Sequence, residues 1–89
     1  MTILEERVND MLINYLGRLN RAEAKVATYK ELASMTAADI SEAKAVAKTL
    51  WQMVDSLTFL TGDVITSKTV TKNYHGVEVT FEETCLMER

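Results

Sequence analysis

One apolar stripe governs the first half of this chain. Leu4, Val8, Met11, Tyr15, Leu19, Ala22, Val26, Tyr29 and Ala33 cover 29 residues in eight steps. That is about 3.6 residues per step, the pitch of an α-helix with one buried face. A second stripe of Ile40, Ala43, Ala47, Leu50, Val54 and Leu57 follows a short break. Two amphipathic helices in succession must bury their stripes against each other or against a partner.

The ends of both helices carry local signals. Thr2 and Glu5 form a T-x-x-E capping box, which starts the first helix and predicts it over residues 3–33. Gly17 interrupts it at a cost of about 1 kcal/mol relative to alanine; close packing against a neighbour is the expected reason. The break falls at Ser34-Met35-Thr36. Thr36 and Asp39 repeat the capping pattern, with Met35 and Ile40 at the two positions of a hydrophobic staple. Gly62 sits where a helix C-terminus favours glycine, so the second helix is predicted over residues 37–61. Because Thr36 keeps the stripe in phase, the alternative is one continuous helix of about 58 residues, roughly 87 Å long.

Charges and residue sizes favour the helical hairpin. Turning near Ser34-Met35 would bring Arg21 and Lys25 close to Glu42 on one edge, and Glu23 close to Lys44 and Lys48 on the other. Ala22, Ala33, Ala43 and Ala47 cluster near the turn, where they permit close approach. Larger residues, among them Leu12, Leu16, Trp51 and Phe59, gather at the open end.

After Gly62 the period changes from 3.6 to 2. Residues 64–72 are rich in Val, Ile and Thr, and Val-Glu-Val-Thr-Phe-Glu alternates over residues 77–82. Asn73-Tyr74-His75-Gly76 between them suits a three-residue hairpin loop closed by a left-handed glycine. That loop would set Lys72 opposite Glu78, Lys68 opposite Glu82, Thr71 opposite Val79 and Thr69 opposite Phe81. One face would then be charged, and the other would carry Ile65, Val77, Val79, Phe81 and Cys85. The expected fold is α+β: an antiparallel two-helix hairpin followed by a C-terminal β-hairpin over residues 64–84, in a single domain of residues 1–89.

Composition narrows the function. The chain has 89 residues, of which 47% are hydrophobic, and no run of about 18 apolar residues that could cross a membrane. Glu5, Glu6, Arg7 and Asp10 break up any signal-peptide core, so a cytoplasmic protein with no membrane partner is expected. With one cysteine (Cys85) and one histidine, neither a disulfide framework nor a one-chain zinc site is expected. A net charge of −3 disfavours nucleic acid as a partner. Neighbouring acids such as Glu5-Glu6 and Glu82-Glu83 point in different directions along a helix or strand. Glycine-rich phosphate loops and nucleophile elbows are lacking. No catalytic residue, metal or cofactor is expected, and the chain reads as a non-enzyme.

Apolar surface exceeds what one helix seam can bury. Leu12, Leu16 and Trp51 flank the seam on one side, Val46, Met53 and Leu60 on the other, and Ile13 points further round. A single β-hairpin is also marginal alone. These features predict a homodimer or higher oligomer forming a four-helix bundle, with Leu12, Ile13, Leu16 and Met53 at the interface. The rival is a monomer whose β-hairpin folds back over the open end of the helix pair, over Leu16 and Trp51. A second candidate surface is the hairpin tip, with Lys72, Asn73, Tyr74 and His75 as partner-binding residues. A third is basic: Arg18, Arg21 and Lys25 share one helix face, while Lys44, Lys48 and Trp51 share another on the opposite edge, and could bind phosphate across an oligomer interface. The sequence thus reads as a protein-binding adaptor, regulator or inhibitor acting as a homo-oligomer. By analogy of size and type alone, such chains include phage- and plasmid-encoded inhibitors. The alternatives are an oligomeric binder of a nucleotide or other phosphate, and a structural assembly protein.

Overall fold

The computed structural model describes residues 2–32, 34–74 and 76–87; Ala33 and His75, both invoked above, lie outside the described residues. Helix α1 spans Ile3–Glu31, helix α2 Ala37–Thr61, and strands β1 (Ile65–Tyr74) and β2 (Val77–Leu86) pair as a two-stranded antiparallel sheet.

Each helix end follows from its local chemistry. Thr2 caps α1, its Oγ1 accepting from the Glu5 N–H at 3.2 Å. Only this half of the expected box forms among the described residues. At α2 the box is complete: Asp39 N–H donates to Thr36 Oγ1 at 3.2 Å, and the Thr36 N–H and hydroxyl donate to Asp39 Oδ2 at 3.1 and 2.9 Å. These bonds favour the charged carboxylate and hold the Asp39 pKa below its ordinary value of 3.8. α1 stops two residues before the predicted end. Leu32 turns extended at φ −92°, ψ 116°, which excludes the continuous helix. Gly62 ends α2 at φ 76°, ψ 7°, a left-handed cap that glycine adopts without a Cβ clash. Gly17 is not the site of a close approach. A Cβ built there meets only the end of the Arg21 side chain, at 3.5 Å.

The helices pack as the antiparallel hairpin, with Ala22 and Val26 against Ala43 and Ala47 near the turn. Among the described residues no ion pair within 4.0 Å crosses the helix seam; the pairs that close, Lys72–Glu83 at 3.1 Å and Lys68–Glu83 at 4.0 Å, belong to the β-hairpin.

The β-hairpin register is one residue away from the expected one. Tyr74 pairs with Val77, Val70 with Phe81, Lys72 with Val79 and Lys68 with Glu83. The loop therefore contains two residues, not three. Gly76 sits at φ 81° and donates its N–H to Asn73 Oδ1 at 3.1 Å. The reason is burial. The observed register puts Tyr74 and Val70 on the same face as Val77, Val79 and Phe81. The expected one would have left both among the lysines on the other face. Ion pairs between exposed side chains contribute only tenths of a kcal/mol each and do not compete with that. Lys68 and Lys72 consequently share the apolar face and reach along it to Glu83. Ile65 moves to the opposite face, beside Thr69, Thr71, Thr80 and Glu82.

The β-hairpin folds back along α1, which serves as the middle element between α2 and β2. Val79 and Phe81 pack on Ala24, with Ala27, Val70, Tyr74 and Val77 around them. At the hairpin base Ile65 and Leu86 join Leu12, Leu19 and Val54. The inward side of β2 changes along its length, from Val79 and Phe81 near the tip to Thr84 and Leu86 at the base. Asn20 fixes that changeover, donating from Nδ2 to the Thr84 carbonyl and accepting the Thr84 N–H on Oδ1, both at 2.8 Å. One side chain thereby takes the place of a neighbouring strand at the edge of β2. The molecule is a flat slab of 48 × 24 × 16 Å.

This packing consumes two of the residues expected at an oligomer interface. Leu12 is fully buried, and Leu16 is half-buried beside it in the same cluster. Ile65 and Leu86 at the hairpin base pack against the same cluster, whereas Trp51 stays 43% exposed in a groove lined by helix residues. Ile13 and Met53 remain exposed.

Candidate functional site

Where the hairpin tip passes the C-terminal half of α1, a groove of about 480 Å³ opens, lined by Arg21, Ala24, Lys25, Thr28, Tyr29, Leu32, Met35 and Tyr74. Its side-chain set follows from helix geometry. Positions 21, 25, 28 and 29 are linked by three- and four-residue steps, so they share one flank of α1, and Leu32 follows as its C-cap. Tyr74 closes the far wall from the last position of β1, steadied by Phe81 with ring centroids 6.4 Å apart at 50°. Met35 enters from the connection between the helices. The floor is apolar. Its one hydroxyl, on buried Thr28, is already donated to the Ala24 carbonyl at 2.7 Å.

Two cations stand at this groove. Lys25 Nζ lies 5.4 Å from the Tyr29 ring centroid, in cation–π range. Arg21 also borders a second groove, of about 600 Å³ along the helix seam, shared with Arg18, Glu42, Val46, Thr49 and Leu50. There Arg18 sits 5.3 Å from the Tyr15 ring centroid. Lys44, Lys48 and Trp51 do not meet these residues. They line a separate groove with Glu23, Val26, Lys30 and Ala47.

The structure therefore joins one member of the hairpin-tip set, Tyr74, to two members of the basic set, Arg21 and Lys25. Lys72 and Asn73 are engaged within the hairpin, with Glu83 and Gly76. The sequence places Tyr29 only in the stripe and Met35 only in the staple, and it does not single out Leu32. The lysine four residues before Tyr29 was the available hint of a second role. Asn20 went unread altogether. Its signal was a short polar side chain, a poor helix former, in the middle of a long helix.

Among the described residues, no three or more His, Cys, Asp or Glu side chains gather as a metal site. No described helix is long and apolar enough to cross a membrane. Cys85 is half-buried. Compared with family models, curated proteins and solved structures, the chain matches none.

Proposed function

We propose that the chain is a non-enzymatic protein-binding module, an adaptor, regulator or inhibitor working in the cytoplasm as a homo-oligomer, with the groove beneath Tyr74 as its partner surface. The observation behind this reading is the convergence of Arg21, Lys25 and Tyr29 from α1 and Tyr74 from β1 on one apolar floor. Tyrosine and arginine beside an apolar pocket are the residue types that dominate binding energy at protein interfaces. Two cations at the rim complement an acidic segment, and the floor accepts an apolar or aromatic side chain carried by that segment.

The test is affinity capture from cells that make the protein, run in parallel with Tyr74→Ala and Lys25→Glu. A protein retained by the wild type and lost from both variants, whose oligomeric state is unchanged, supports the reading. Equal capture by all three overturns it. The same cations favour a second reading, a nucleotide or other phosphate held between Arg21 and Lys25 with a tyrosine ring against the base. Native mass spectrometry distinguishes the two. A few hundred daltons of added mass per chain, absent from Arg21→Ala/Lys25→Ala, would replace the protein partner with a small phosphate ligand.

A further inference from the structure

One face of the helix pair is left uncovered, and its spacing indicates what fits it. Along α2, Val46, Leu50, Met53, Leu57 and Leu60 follow alternating steps of four and three; Leu4, Val8, Met11 and Tyr15 do the same along the first half of α1, beyond which exposed Arg18 and Lys25 take the outward positions. Two apolar positions in seven is the seam of a coiled coil. Leu50, Leu57, Val8 and Tyr15 are half-buried. The positions between them stay open: Leu4 at 71%, Met11 at 47%, Val46 at 52%, Met53 at 37% and Leu60 at 69% exposed. Half of each seam is used within the chain, and half faces outward.

The total surface shows the same surplus. The chain exposes 6226 Å², whereas a compact monomer of its 10.0 kDa mass exposes about 5,200 Å². The excess of about 1,000 Å² is comparable to the roughly 800 Å² that each partner buries in a stable interface. The radius of gyration, 14.7 Å, likewise exceeds the roughly 12 Å of a compact chain of this length.

We infer that a second copy of this chain covers the face, packed about a two-fold axis parallel to the helices to complete a four-helix bundle. The inference rests on the self-association in the proposed function and names its surface. A face whose two helices share one spacing is complementary to itself. Its border charges favour this axis. The outer border of α1 carries Arg7, Asn14 and Arg21; that of α2 carries Thr49, Ser56 and Glu42. With the axis along the helices, each α1 lies opposite the partner's α2, and the arginines face a border that carries no cation instead of facing each other. Val46, Met53 and Leu60 are then core positions, where Met53 was the one interface residue named on this face from sequence.

The experiment is native mass spectrometry and light scattering over concentrations from sub-micromolar to hundreds of micromolar. The wild type should weigh twice 10.0 kDa. Met53→Glu/Leu60→Glu should be monomeric with unchanged helical circular dichroism, while Phe59→Glu, about 100° round the helix from Leu60, should stay dimeric. A wild type that is monomeric throughout overturns self-association itself. A dimer that survives Met53→Glu/Leu60→Glu but is lost on Ile13→Glu or Phe59→Glu overturns this face and leaves self-association standing. Should the double variant unfold, methionine methyl NMR of the wild type decides. Met11 and Met53 signals should shift with concentration while Met35 does not, and invariant Met11 and Met53 signals overturn the inference.

Discussion

Replacing Asn20 with alanine should release the β-hairpin from α1. Two hydrogen bonds of 2.8 Å disappear, and the Thr84 N–H and carbonyl lose their partner in a partly buried position. A stranded backbone group costs about 1–3 kcal/mol when fully buried. Partial access of water puts each here near the lower bound, so the pair amounts to about 2–3 kcal/mol. The whole domain has a stability of only about 4–13 kcal/mol at its length, and the loss should lower the melting temperature by about 10–20 °C. Urea unfolding followed by circular dichroism measures the loss, and amide hydrogen exchange locates it, because Thr84 should lose protection before the α1–α2 seam does. Asn20→Asp is the sharper control. The carboxylate still accepts the Thr84 N–H but sets an oxygen against the Thr84 carbonyl, where Nδ2 had donated. It should therefore destabilise the protein near neutral pH, where the carboxylate has no proton to donate to the Thr84 carbonyl. A cost below about 0.5 kcal/mol for Asn20→Ala, or a loss of stability with Thr84 still protected, would refute the reasoning.

Gly17→Ala should stabilise the protein by about 0.5–1 kcal/mol, since helix propensity improves and the new Cβ meets only the Arg21 side-chain end at 3.5 Å. An unchanged or lowered melting temperature would restore the close-packing explanation. Leu19→Ala removes a side chain that is 0% exposed and should cost about 2–5 kcal/mol in equilibrium unfolding, and a smaller cost would mean that the site collapses around the cavity. Asp39 is held below 3.8 by its bonds from Thr36. Its contribution is thus present above that ordinary value and lost as the pH falls through the lowered one. The stability difference between wild type and Asp39→Asn should shrink in that acid window, and a difference independent of pH would contradict the assignment.

How much was legible in the sequence depended on how local the cause was. The Thr36–Asp39 box and Gly62 act within one helical turn, and they put α2 where it lies, from residue 37 to residue 61. The change of period after Gly62 disclosed two strands. Their register was not legible, because the two candidates differ by one residue and the exposed charges suit either. Only the surface of α1 beneath the hairpin tip decides that Tyr74 and Val70 must turn inward. The candidate site was half legible for the same reason. Arg21 and Lys25 share a helix face by spacing alone, whereas the approach of Tyr74 depends on which way the hairpin folds.

By itself, then, the sequence determined the elements of this protein and the surplus of apolar surface, because periodicity and caps operate over a few residues, and it favoured the antiparallel turn that the extended Leu32 makes. Tertiary structure alone decided that the β-hairpin lies along α1, that Leu12 and Leu16 are spent beneath its base, and that Asn20 ties down β2. Those outcomes hang on contacts between residues as far apart as Asn20 and Thr84. Packing and the satisfaction of buried backbone groups select among arrangements that local preference leaves equal.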